Sequence, residues 1–338
     1  MPGLPSNHSA FAHAALPEYG RDPHTPLRLL SLSENATYLV DDQRPIVLRV
    51  HRPGYHTLPA IRSELAWMRA LRTETPVVTP ELVPTANGSD VIAVAVGGTT
   101  LHVDAMGYVP GCTAEETSGV VGYGKLGQLT AHMHDHVQHW RVPQEFTRFR
   151  WDLDSMFGPR ARWGDWRQAP GMTDRDRMAI DAAVQDMARR LGEYGYTPDR
   201  FGLIHADMRL SNLMVDPARP GSDITVIDFD DCGWSWFMAD LGAVVSWVED
   251  TPEAEVAVAE WLDGYQRVRR LSEDHLGMIP VFVMLRRVML TAWIASHADA
   301  DAAIRVSNGF GARTALLAQR YLGDRTWLRE AVFGRRVG

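Results

Sequence analysis

Lysine is almost missing from this chain: of its 34 basic residues only Lys125 is a lysine. Any step that ordinarily uses a lysine ammonium must therefore use an arginine, or Lys125 itself. Cysteine is scarce too, with only Cys112 and Cys232 among 338 residues. That excludes a disulfide framework and a cysteine-based structural zinc site, and it fits a reducing cytoplasm. The chain does not open on a basic segment followed by an apolar core, so no export signal is expected. Long apolar runs are also lacking; Arg286 and Arg287 break the one around 278–294, and no membrane crossing is expected. Nor is there an excess of positive charge. A formal net charge of -8 gives no general attraction to nucleic acid or to an anionic membrane, so a neutral or cationic small partner fits better.

What is present is ordinary for a folded protein: 45% hydrophobic and 22% charged residues, in a chain long enough for a sizeable core. The length favours two domains sharing a cleft. Nothing in the sequence fixes an oligomeric state.

Along the first hundred residues the pattern is strand-rich. Tyr38–Val40 and Ile46–Val50, joined by a turn-like Asp41-Asp42-Gln43, form an expected hairpin; Ile46, Leu48 and Val50 share one face and Arg49 the other. Residues 60–71 have helical spacing at Ile61, Leu65 and Met68, with Glu64 among them. A second hairpin is expected from Glu81–Pro84 to Val91–Val96 across Asn87-Gly88. A strand from Leu101 to Val109 follows, punctuated by Pro110-Gly111 as a candidate hinge. Beyond it the chain is helix-rich, with helices expected near 123–136, 175–194, 253–270, 279–297 and 313–321. Short strands are expected at 202–204, 213–215 and 225–227. The region 151–166, with Trp151, Trp163 and Trp166, has weak periodicity; its tryptophans suit either core packing or a substrate-side wall.

The strongest chemical signal is His205-Ala206-Asp207-Met208-Arg209-Leu210-Ser211-Asn212, followed by Val226-Ile227-Asp228-Phe229-Asp230. Phosphoryl transfer needs an oriented hydroxyl nucleophile, divalent-metal ligands and compensation of charge on the transferred group. Asp207 can orient a substrate hydroxyl and receive its proton late in transfer. Asn212 and Asp228 can hold magnesium on the triphosphate oxygens of ATP. Each motif follows a short apolar strand, so a turn between them can bring the loops together. The alternative is that these polar groups only cap turns and satisfy backbone donors.

The paired pattern H-x-D-x-x-x-x-N and I-D-F-x-D resembles the superfamily of aminoglycoside phosphotransferases and choline and homoserine kinases. The resemblance spans roughly residues 25–325. It implies an α+β, bilobal protein-kinase-like fold with a small strand-rich N-terminal lobe and a large helix-rich C-terminal lobe. The boundaries are then 1–107 for the nucleotide-binding lobe, 108–111 for the linker and 112–338 for the catalytic and substrate-binding lobe. It also implies that Asp207 is the catalytic aspartate and that Asn212 and Asp228 bind the metal. In looser register, Ser33–Tyr38 with Asn35 stands where a phosphate-covering loop is usual, Arg49 where a strand lysine or arginine contacts phosphates, and Glu64 where a helix glutamate orients it. Met106–Gly111 resembles the segment beside adenine, with Met106 and Tyr108 as contacts. Arg209 is expected to reach the γ-phosphate or the acceptor, or else to pair within the loop. Asp230 is a candidate for the substrate or metal network, and His205 and Asp240 are expected to support the loop. The histidines at 132, 134, 136 and 139 lack a zinc motif and read as ordinary packing or solvent-facing groups.

The implied activity is transfer of the γ-phosphoryl of ATP, with Mg2+, to a hydroxyl of a small metabolite or of an antibiotic, and antibiotic resistance is one role open to it. A protein kinase and a catalytically degenerate nucleotide-binding regulatory module are the alternatives.

Overall fold

The computed structural model describes residues 4–33, 35–117, 119–159, 161–219, 223–298, 301–324 and 326–334. The chain divides into two compact units. The first contains residues 1–112 together with 141–148 and 213–230; the second contains 113–140, 149–212 and 231–338. The division is thus not one cut along the sequence, because two downstream segments return to the first unit.

The first unit is built on a five-stranded antiparallel sheet in the order β1-β2-β3-β5-β4, where β1 is Leu27–Leu32, β2 Asn35–Val40, β3 Ile46–His51, β4 Val91–Val96 and β5 Thr99–Gly107. The expected β2–β3 hairpin is present, with Tyr38 opposite Leu48 and Val40 opposite Ile46. Its alternation works as anticipated. Ile46, Leu48 and Val50 pack with Val103 and Ala105 against Phe11, Ala12 and Ala15 of helix α1 (His8–Ala15), while Arg49 emerges on the opposite face.

The second expected hairpin is corrected. Val91–Val96 pairs with the strand after it, not the segment before it, with Val96 opposite Thr99. The turn is Gly97-Gly98, both at positive φ (56° and 83°), a conformation glycine takes without steric cost and one that matches the twist of a tight hairpin. Residues 81–84, flanked by Pro80 and Pro84, make only an isolated bridge from Leu82 to Met106, since proline has no N–H to give a ladder. Helix α2, Leu58–Glu74, starts at Thr57, whose hydroxyl accepts from Ala60 N–H, with a proline in its first turn. The returning segment forms a small hairpin, Leu213–Val215 with Thr225–Val226, and Val226 N–H donates to Val78 C=O at 2.8 Å.

The second unit is mostly helical. Helices Tyr123–His139 and Glu253–Gln266 pack backbone against backbone: a Cβ on Gly264 would lie 1.7 Å from Gly124 C=O. Helix Ile279–Ser296 has 14 buried residues and is apolar almost all round, as a core helix must be. Against expectation, the segment Glu273–Ser296 is long and apolar enough to cross a membrane by length and composition alone, and 83% of its 18-residue apolar stretch is buried inside the protein. A two-stranded sheet pairs Phe201–Ile204 with Gly233–Trp236, the latter a strand the sequence pattern did not reveal.

Candidate active site

In the second unit, strand Phe201–Ile204 delivers the chain into the loop His205-Ala206-Asp207. Ala206 has φ 68°, a left-handed conformation uncommon for a residue with a Cβ. Asp240, wholly buried at the start of helix Ala239–Val244, holds that backbone: its carboxylate accepts from Ala206 N–H at 2.7 Å and from His205 N–H at 3.2 Å. His134 donates to the same carboxylate from Nε2 at 3.0 Å, and its Nδ1 accepts from the Tyr265 hydroxyl at 3.0 Å. Tyr265 in turn accepts from Arg269 at 2.9 Å. Burial lowers the His134 pKa, and the bond to Asp240 only partly offsets it, so the ring is neutral at pH 7. His134 therefore does more than pack; the other three histidines belong to no metal-binding cluster of His, Cys, Asp and Glu among the described residues.

Asp207 is saturated with donors. Arg209 reaches it from Nε (3.0 Å to Oδ1, 3.2 Å to Oδ2) and from Nη2 (2.9 Å to Oδ2), Arg286 from Nη2 (2.5 Å to Oδ1), and Asn212 from Nδ2 (3.0 Å to Oδ2). Burial would push the carboxyl up, but Arg209 and Arg286 outweigh it and hold Asp207 well below the usual carboxylate range. It is an ionised acceptor and a weak base, suited to aligning a hydroxyl rather than deprotonating it in advance. Asn212 also donates from Nδ2 to Asp207 C=O at 2.8 Å, so it is the amide nitrogen and not the side-chain carbonyl oxygen that these bonds use. Asp207 N–H donates to His205 Nδ1 at 3.3 Å, so His205 does shape the loop.

In the first unit the structure brings Asn35, Arg49 and Glu64 into one buried network with the Asp228-Phe229-Asp230 loop. Arg49 lies directly opposite Asp104 on β5 and grips it with two bonds, Nε to Oδ1 at 3.1 Å and Nη2 to Oδ2 at 2.9 Å; Nη1 bonds Glu64 at 2.7 Å. Burial opposes the charge on Arg49, yet Asp104 and Glu64 raise its pKa further, so it is permanently cationic. These bonds use three of the guanidinium's five N–H groups, and the others remain for an anion. His51 also bonds Asp104, at 2.6 Å. Arg148 stands 3.6 Å from Glu64 Oε2 and donates to the carbonyls of Ala60 and Asp230. Asn35 donates to Asp230 Oδ1 at 3.0 Å, and His56 bonds Asp230 C=O at 2.8 Å. Phe229 locks the loop edge-to-face on Trp67 of α2, with centroids 5.5 Å apart.

Asp230 Oδ2 is buried without a hydrogen-bond partner, whereas Asp228 is exposed with its backbone at φ 64°. Burial would raise the Asp230 pKa, but His56 and Arg49 reverse the effect and keep it ionised. Met106 is buried in β5 opposite Val47. In the segment that resembles the one beside adenine, Gly107 N–H donates to Glu81 C=O and Tyr108 N–H to Pro45 C=O, so both are committed within the unit. Lys125 is exposed, and among the described residues its amine meets only Gln128, at 3.4 Å. Glu34, part of the candidate phosphate-covering segment, lies outside the described residues.

Sequence reasoning missed Asp104, His51, His56 and Arg148, which stand far along the chain from the motifs they support. It also passed over Arg286 as a site residue. There a signal existed: an arginine inside an otherwise apolar buried helix must find a carboxylate.

A strand-rich unit with a buried arginine–carboxylate network, and a helical unit with an aspartate–asparagine loop on a strained turn, define the class of kinase-like phosphotransferases. The sequence pattern of APH, the phosphotransferase enzyme family, matches residues 27–271, and the chain belongs to that family. A microcompartment-associated aminopropanol kinase has a similar structure, with a TM-score of 0.86 and 40% identity over 93% of this chain and 97% of that one. Amicoumacin kinase of Bacillus subtilis (strain 168) is 25% identical over 277 residues, 78% of each chain. A spectinomycin phosphotransferase shares the fold, with a TM-score of 0.59 at 11% identity over 88% of this chain and 93% of that one. The chain is an ATP-dependent small-molecule kinase, as the paired motifs indicated.

Proposed function

We propose that this enzyme phosphorylates the hydroxyl of a small amino alcohol of the aminopropanol type. The observation that carries the reading is the 40% identity to an aminopropanol kinase along nearly the whole of both chains. The second reading is an antibiotic acceptor, favoured by the likeness to amicoumacin kinase. The reducing cytoplasm is the proposed compartment, in keeping with only two cysteines in 338 residues.

In this reading Asp207 is the catalytic carboxylate: it accepts a hydrogen bond from the attacking hydroxyl, fixes its direction, and takes its proton as the phosphate ester forms. Arg209, partly exposed in the same loop, leaves Asp207 and stabilises charge on the transferred phosphoryl group. Arg49, oriented by Glu64 and Asp104, binds the nucleotide phosphates through its remaining N–H groups. Asn35 holds Asp230 in place, and Met106 and Tyr108 flank the base. The carbonyl oxygen of Asn212 and the carboxylate of Asp228 are the proposed magnesium ligands. An oxygen-only donor set, with the orphaned Asp230 Oδ2 nearby in sequence, fits a hard cation. When bound, Mg2+ would neutralise phosphate charge and orient the triphosphate.

The test is to incubate purified protein and magnesium-ATP with aminopropanol, ethanolamine, choline, homoserine, amicoumacin and aminoglycosides, following ADP release and locating the ester by phosphorus NMR. The expected result is the highest kcat/KM for aminopropanol. A kcat/KM for an antibiotic above that of every amino alcohol would replace the first reading by the second.

A further inference from the structure

We propose that Arg286 is a positioning residue for phosphoryl transfer, holding both the Asp207 carboxylate and the strained peptide behind it in the geometry the acceptor hydroxyl requires. The proposal rests on the reading of Asp207 as the group that aligns the acceptor. Arg286 projects from the middle of helix Ile279–Ser296 and is 5% exposed. Its three nitrogens serve three different partners: Nη2 to Asp207 Oδ1 at 2.5 Å, Nη1 to Ala206 C=O at 3.2 Å, and Nε to Ser246 Oγ at 2.9 Å. The guanidinium carbon also stands 5.3 Å from the ring centre of Trp163.

Ala206 is thereby clamped on both sides. Asp240 takes its N–H and Arg286 supplies a donor to its C=O, so a left-handed residue is held without glycine. Arg209 differs in kind. It touches the same carboxylate, but its side chain is 28% exposed against 6% for Arg286, which is also tied to Ala206 and Ser246. Both carboxylate oxygens are already engaged. For a hydroxyl to reach Asp207, one donor must withdraw, and the more exposed Arg209 is the one that can turn toward solvent. Arg286 then remains on Oδ1 and fixes the direction of the oxygen left open.

Arginine rather than lysine is required because one planar fork meets three acceptors in three directions. The neighbouring Arg287 provides a contrast. It is wholly buried on the same helix, but it bonds Glu249, Asp250 and Thr314 and does not touch the loop.

The experiment is a double-mutant cycle on the full chain, using Arg286→Met and Arg286→Lys in wild-type and Asp207→Asn backgrounds. Initial rates are measured with magnesium-ATP and whichever acceptor the wild type phosphorylates, alongside KM for ATP, the melting temperature and a crystal structure of Arg286→Lys. Arg286→Met is expected to lower kcat about 100-fold, the size of effect that a small misplacement of a reacting group produces, with KM for ATP changed less than about threefold. Arg286→Lys is expected to recover about tenfold of that loss, because an ammonium can meet Asp207 but not all three acceptors. In the Asp207→Asn background, Arg286→Met is expected to cost less than about threefold more, since the group through which it acts is already disabled. An equal loss in both backgrounds would mean that Arg286 acts elsewhere and would overturn the proposal. The crystal structure does not depend on acceptor identity: the Asp207 carboxylate or the Ala206 peptide is expected to rotate, and an unmoved loop would also overturn it. If no amino alcohol is phosphorylated by the wild type, the substrate reading fails while this structural arm still decides the role of Arg286.

Discussion

Replacing Asp240 by asparagine tests how far the catalytic loop depends on one buried carboxylate. The side chain is fully buried and accepts three hydrogen bonds, from the N–H groups of His205 and Ala206 and from His134 Nε2. Asparagine has nearly the same shape, but it exchanges one acceptor oxygen for an NH2 and removes the charge. At least one donor must then face another donor. A buried donor left unpaired costs about 1–3 kcal/mol, and bonds to a charged acceptor are worth about 1.5–3 kcal/mol each. Release of a buried charge from its desolvation penalty offsets part of that loss. The expected net destabilisation is about 2–4 kcal/mol. Because Ala206 is held at φ 68° partly by this carboxylate, the loop should relax, and kcat should fall about 100-fold. Urea unfolding gives the first quantity, provided the slope m is unchanged; initial rates at saturating ATP give the second. A stability change under about 0.5 kcal/mol together with a kcat within about threefold of wild type would refute the reasoning.

Three further outcomes are expected. Ala206→Gly should hold or raise stability by up to about 1 kcal/mol, as glycine relieves the left-handed strain; a loss larger than that would mean the methyl group is needed for packing. Arg49→Lys should raise KM for ATP about tenfold, because a lysine cannot grip Asp104 with two bonds while also meeting Glu64; an unchanged KM would separate Arg49 from nucleotide binding. The part of the stability that depends on His134 should be fully present above pH 6.5, the ordinary histidine value, and decline as pH falls below it, because its buried ring has a lowered pKa and the unfolded chain binds the proton first. His134→Gln, which can still donate to Asp240, should flatten that acid limb in urea unfolding measured across pH 5 to 8; an identical limb in the variant would exclude His134 as a contributor.

The local chemistry was legible because it is written in short spacing. Asp207, Arg209 and Asn212 sit within six residues, and a single loop leaving one strand suffices to gather them. The β2–β3 hairpin was equally readable, since strict alternation put Arg49 opposite its apolar neighbours. Where two turn signals competed, the sequence misled: Asn87-Gly88 looked like the hairpin turn, but prolines on one flank left no ladder to build, and Gly97-Gly98 made the turn instead. The strand Gly233–Trp236 was missed because it is only four residues long, too short for the alternation of Gly233 and Ser235 with Trp234 and Trp236 to stand out.

By itself the sequence determined the reaction class, through residue types that phosphoryl transfer needs at a spacing a loop can present, and it determined that arginine would stand where lysine is usual. Only the tertiary structure decided which distant groups hold those residues. Arg286 lies 79 positions from Asp207, Asp104 lies 55 from Arg49, and Asp230 lies 195 from Asn35. A buried charge must be compensated by some partner, but helical and strand periodicities say only which face a residue occupies. Its partner is chosen by how the packed elements meet, and that is a property of the fold as a whole.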